Sequence, residues 1–124
     1  MDDLERQVRE RICSGTNYRC VSDDEVGISG NVWQIDAIVI GPGDSRVAYI
    51  EVKDTWKDAN KSTYINHMRR AYARMGDFRQ KNIEKAVVVG DRRGFGHKDW
   101  EALFESIDCS LIAFDELDSL IERL

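Results

Sequence analysis

A hairpin signal dominates this chain. Two Val- and Ile-rich runs, at residues 32 to 40 and 46 to 53, flank the turn sequence Gly41-Pro42-Gly43-Asp44. β-Branched residues on either side of such a turn predict two antiparallel strands. Apart from Arg46 at the edge of the turn, three charged side chains sit inside these runs: Asp36 in the first, Glu51 and Lys53 at the end of the second. A charge in a buried strand costs free energy unless it is paired or holds a ligand. Any fold built on this hairpin must therefore give the three groups partners.

The other elements are read from periodicity. Leu4, Val8 and Ile12, four apart, predict a helix over residues 2 to 13, ended by Gly15. Tyr18 to Val26 is a weaker strand, interrupted by Ser22-Asp23-Asp24. From Lys61 to Arg79 the period changes: Tyr64, Met68, Ala71, Met75 and Phe78 form one apolar helical stripe. Lys85 to Val89 predicts a short strand. A glycine- and arginine-rich loop at 90 to 96, a helix at 98 to 106 and a strand at 111 to 114 follow. A last helix, 116 to 124, has Asp115 as its N-cap. The expectation is a single α/β domain over residues 1–124: a mixed sheet with helices on both faces, opening on a three-stranded antiparallel meander.

Composition narrows the function classes. An apolar fraction of 42% with eleven aromatic residues suits a folded domain. No apolar run approaches the roughly 20 residues of a membrane span. The acidic start, Met1-Asp2-Asp3-Leu4-Glu5, is unlike a targeting segment, so the cytoplasm is the expected location. Cys13, Cys20 and Cys109 are odd in number and lack a CxxC pair, which predicts reduced, mostly buried thiols. His67 and His97 are isolated, so no histidine-based metal site is expected. The net charge of −5 is unevenly spread: residues 53 to 98 carry a balance of +7 and the rest −12. An acidic protein with one basic face is the expectation, although a solvated helix surface explains the same pattern.

Alternation puts Glu51 and Lys53 on one face with Tyr49, and Asp36 on one face with Gln34. If the strands pair through the Gly41–Asp44 turn, Asp36 and Glu51 become neighbours. Adjacent carboxylates repel, and a divalent cation removes the conflict; oxygen donors of this kind suit Mg²⁺ or Mn²⁺. Lys53 beside them would orient an attacking water. The competing reading of the same three residues is a cross-strand ion pair.

Helix, meander with Asp on its second strand and Glu-x-Lys on its third, then helix and strand: this order resembles the PD-(D/E)xK nuclease superfamily. The motif residues are Asp36 and Glu51-Val52-Lys53, and "QIDAIVIGPGDSRVAYIEVK" looks most like the Mrr-type and nuclease-related-domain branches. The resemblance implies a restriction endonuclease-like αβββαβ core, here with a C-terminal αβα extension. It implies that Asp36, Glu51 and the Val52 carbonyl bind Mg²⁺ or Mn²⁺. Lys53 would position water, and Glu5, rather than the weaker choice Glu10, would supply the family's helix-one glutamate. Ile35 replaces the proline of the family's name, and no clear counterpart exists for the glutamine some branches carry after the lysine.

The activity so implied is metal-dependent hydrolysis of DNA phosphodiesters, with RNA not excluded. Gln34, Lys57, Arg69, Arg70 and Arg74 are the candidate substrate contacts, joined by Arg92 and Arg93 in the glycine-rich loop. Trp56 is the one tryptophan placed to stack on a substrate. The small size suggests a homodimer or a partner protein. The alternative is an inactive module of the same fold that binds nucleic acid or assembles with a partner.

Overall fold

The computed structural model describes residues 3–54, 60–91 and 96–124. In chain order the elements are α1 (Asp3–Cys13), β1 (Arg19–Val26), β2 (Val32–Ile40), β3 (Arg46–Lys53), α2 (Lys61–Gly76), β4 (Glu84–Val89), α3 (His97–Glu105), β5 (Ser110–Ala113) and α4 (Leu117–Glu122). The five strands form one sheet in the order β1-β2-β3-β4-β5. β1, β2 and β3 run antiparallel; β4 and β5 add in parallel. α2 and α3 are the crossovers, as parallel neighbours require.

The alternation of β3 and β4 sorts the core into two layers. Ile38, Tyr49 and Val87 pack with Tyr64, Met68, Ala71 and Met75 of α2 and with Phe104 of α3. Val39, Ile50 and Val88 pack with Leu4, Val8 and Ile12 of α1 and with Leu117 and Leu120 of α4. Helices therefore cover both faces of an α/β mixed sheet. Each fully buried Ile or Leu contributes roughly 1.5–3 kcal/mol, so both layers hold the strands in register.

Local chemistry sets the element ends. Asn60 caps α2, its Oδ1 accepting from the Thr63 N–H at 2.9 Å. α2 stops at Gly76 rather than continuing to Arg79. There the buried Lys85 ammonium donates to the Met75 and Phe78 carbonyls at 3.0 and 2.6 Å, satisfying the helix end. Lys85 thus belongs to the core of a strand expected to be wholly apolar. α4 is not capped by Asp115: a 3-10 turn, Phe114–Glu116, leads into it, and the Glu116 carboxylate accepts from the Ala113 N–H at 3.0 Å. In the β2–β3 turn Gly43 takes φ +77°, which a residue with a Cβ rarely adopts. Among the described residues no helix is long and apolar enough to cross a membrane.

Candidate active site

The three charges of the hairpin come together, and an irregularity in β2 brings them there. β1 and β2 pair at Val21–Ile38 and next at Asp23–Ile35. One residue of β1, Ser22, thus faces two of β2, Asp36 and Ala37, which defines a β-bulge. The β2–β3 ladder is paired as far as Ala37–Ile50. At the bulge the side chain of Asp36 takes over from the ladder: its Oδ2 accepts from the Val52 N–H at 2.9 Å. In return Glu51 Oε1 accepts from the Asp36 N–H at 3.3 Å. In an extended strand the N–H and C=O of one residue point to the same edge, so the Val52 carbonyl also opens toward β2. Two carboxylates and one carbonyl from neighbouring strands thus converge.

Glu51 is the strained member of the group. Its side chain is 0% exposed. Burial, and then the charge of Asp36, push its pKa up from 4.5 to about 7; Arg74 and Lys53 pull the other way. Arg74 is the near cation, its guanidinium 2.5 Å from Glu51 Oε2, whereas the Lys53 ammonium is 3.8 Å from the same oxygen. The sequence placed Arg74 among the substrate contacts. It is instead half-buried, tied to Glu51 and held 5.6 Å over the Trp33 ring. An arginine locked in that way cannot also be a free phosphate clamp, and its first role is to neutralise Glu51.

Supports surround this centre. Arg9 of α1 donates to the Asp36 carbonyl and pairs with Glu5 at 3.4 Å. Glu5 therefore bears on the site through Arg9, and Glu10 is exposed. The Trp33 indole N–H donates to Asp77 at 2.7 Å, and Asp77 also accepts from the N–H and hydroxyl of Ser29 at 2.9 and 2.6 Å. These donors, the Ser29 hydroxyl foremost, hold the Asp77 carboxyl below its ordinary pKa. Asp77 lies so close to Gly27 that a Cβ there would fall 1.9 Å from Oδ2. A chain of contacts runs from the β1–β2 turn through Asp77, Trp33 and Arg74 to Glu51.

Arg69 and Arg70 are exposed on α2, where a substrate can reach them. Gln34 is exposed, two residues before Asp36 and ahead of the bulge. Lys57, Trp56, Arg92 and Arg93 lie outside the described residues. Sequence reasoning missed His67. One turn before Arg70 and two before Arg74, it is half-buried, and its Nδ1 is buried without a hydrogen-bond partner among the described residues. Burial, and then the charges of Lys53 and Arg70, hold its pKa below the ordinary value. The helical spacing of 67, 70 and 74 was the available signal; nothing in the sequence said that this side of α2 faces Lys53.

A scan against protein-family models returns no match, and searches of curated proteins and of solved structures return none either. The geometry must be interpreted by itself. Among the described residues no three His, Cys, Asp or Glu side chains gather as a cation site. A site here therefore rests on two carboxylates and a backbone carbonyl. That set fits a hard divalent ion, which accepts carboxylate, carbonyl and water oxygens. The hydrogen bonds to Asp36 Oδ2 and Glu51 Oε1 leave lone pairs on both carboxylates. Burial first, and the charge of Asp36 second, raise the Glu51 pKa, and a bound cation would offset both by favouring the ionised carboxylate.

Proposed function

We propose that this chain is a metal-dependent nuclease of the PD-(D/E)xK type that hydrolyses DNA phosphodiester bonds. The observation that carries the reading is the convergence of Asp36, Glu51 and the Val52 carbonyl at the bulge, with Lys53 beside Glu51. The restriction endonuclease-like reading is supported by the strand order, an antiparallel meander extended in parallel by a strand returning through α2. Asp36, Glu51 and the Val52 carbonyl would hold Mg²⁺ or Mn²⁺. Such an ion supplies charge stabilisation at the scissile phosphate and eases deprotonation of water.

The chain's own residues do the rest. Lys53 is held by Glu51 on one side, and its ammonium orients the attacking water or a phosphate oxygen. His67 stays neutral beside Lys53 and offers a hydrogen bond to the same phosphate. Arg69 and Arg70 attract the DNA backbone without reading its sequence. Arg74 balances Glu51 when no cation is bound, so loading the site requires the guanidinium to share that carboxylate.

One observation favours the second reading, an inactive module that binds nucleic acid or a partner protein. Arg74 already neutralises Glu51 at 2.5 Å, as a purely structural ion pair would. The two separate on a single assay: supercoiled, linear, single-stranded and branched DNA, and RNA, incubated with Mg²⁺, Mn²⁺ or EDTA. The nuclease reading expects cleavage of at least one DNA form with metal and none with EDTA. Binding without cleavage in every condition supports the module.

A further inference from the structure

We propose that Cys13 and Cys20 form a reversible disulfide, a modification site at which low-molecular-weight disulfides such as oxidised glutathione act on this protein. The sequence predicts reduced, mostly buried thiols, and all three are free, but two of them lie together. Both are half-buried, so a small reagent reaches them, whereas Cys109 is buried. Their sulfurs are 3.6 Å apart, in contact and hydrogen-bonded. A disulfide requires about 2.05 Å, so closing the bond must bring the sulfurs about 1.5 Å nearer, by side-chain rotation with whatever shift the turn adds.

The intervening segment allows that rotation. Cys13 is the last residue of α1 and Cys20 the second of β1. The turn between them contains Gly15 at φ +72° with open space around it. Thr16 anchors the turn by donating to the Ile12 carbonyl at 2.7 Å.

The chemistry has an order. Burial, and then the hydrogen bond and charge of Cys13, push the Cys20 thiol up to about 12, so Cys20 is the poorer attacking sulfur. Cys13 is the attacking sulfur. Its thiolate displaces one thiolate from the external disulfide and forms a mixed disulfide. Cys20 then gives up its proton and attacks the Cys13 sulfur, expelling the second thiolate. The pair loses two protons and two electrons, and the external disulfide takes them up to become two thiols.

The bond would pin the last turn of α1 to β1. Arg9, one turn earlier on the same side of α1, donates to the Asp36 carbonyl, and its charge is felt at Cys20. Oxidation would therefore stiffen the support under Asp36. The inference rests on α1 and β1 alone and stands whether or not the protein cleaves DNA.

The test is a thiol count on the full chain equilibrated in glutathione buffers of rising oxidised fraction, then acid-quenched, alkylated in denaturant and weighed intact. The expected species carries one alkyl group, on Cys109, and lacks two hydrogens, with a Cys13–Cys20 link in the peptide map. Dithiothreitol should restore three alkylatable thiols. Cys13→Ser and Cys20→Ser should each stop short of an internal bridge; should either fail to fold, the wild-type peptide map decides alone. Three alkylated thiols at every buffer composition would overturn the proposal. A glutathione adduct that persists on the wild type without bridging would overturn it equally.

Discussion

Replacing Glu51 with glutamine removes one ionisable group from the centre of the sheet while keeping its shape, and the structure sets the size of the effect. The carboxyl is fully buried next to Asp36, and its pKa is raised from 4.5 to about 7. The folded state thus holds the proton more tightly than the unfolded chain does. The stabilising contribution is complete below the unfolded pKa and is lost as pH rises through the folded one. With about 1.4 kcal/mol per pKa unit, wild-type protein without metal should lose about 2.5 kcal/mol at this group between about pH 5 and pH 8. Glutamine mimics the protonated acid at every pH. Glu51→Gln should therefore be about 1 kcal/mol more stable than wild type near pH 5, and about 3 kcal/mol more stable near pH 8. Urea unfolding of both proteins in EDTA across this range measures the difference directly. Mg²⁺ should narrow it by favouring the ionised wild-type carboxylate. Parallel pH profiles for the two proteins would refute the reasoning, since Glu51 would then sit in no unfavourable field.

Arg74→Ala should cost about 3 kcal/mol near pH 8, the usual loss when one member of a buried pair is removed, and less at acid pH where Glu51 takes a proton. The check is the same urea series. Gly27→Ala should destabilise by about 1–3 kcal/mol, because its Cβ would collide with Asp77 and loosen the Ser29 and Trp33 contacts. A shift in Trp33 fluorescence on that substitution reports the loosening. DNA binding should weaken steeply with salt, and Arg69→Ala with Arg70→Ala should make the log–log slope shallower by about two. A slope unchanged by the double variant would show that these arginines are only a solvated surface.

The fold was largely legible because its signals are local. The runs at 32 to 40 and 46 to 53 became β2 and β3 at those bounds, and the 4-3-4 stripe of Tyr64, Met68, Ala71 and Met75 became the buried face of α2. Asp36 and Glu51 were expected to be neighbours from turn symmetry, and the hydrogen bond from the Asp36 N–H to Glu51 Oε1 bears that out. What stayed hidden depends on contacts between distant segments. One extra residue in β2 leaves no mark on composition, yet it puts Asp36 where the regular pairing breaks and its side chain takes the Val52 N–H. Arg74 looked like any exposed helix arginine because its partner lies 23 residues away on another element. The pairing of Asp77 with Trp33 spans 44 residues. Cys13 and Cys20, only seven apart, were near enough to notice, but only the turn at Gly15 brings their sulfurs together.

The central claim is that Lys53 serves a cation-loaded pair of carboxylates rather than a structural ion pair. At 3.8 Å from Glu51 Oε2, and secondary to Arg74, it contributes little to the fold. Its removal should therefore spare stability and the two carboxylates proposed to hold the cation, while misplacing the nucleophile. The deciding measurement is the nicking rate of supercoiled DNA by wild type and Lys53→Met in Mn²⁺, with Mn²⁺ affinity and melting temperature taken on the same samples. The expected result is metal-dependent nicking by wild type and a loss of orders of magnitude in the variant, with affinity and melting temperature nearly unchanged. A wild-type protein that never nicks, beside a variant that melts markedly earlier, would contradict the account and leave the three charges as a structural cluster.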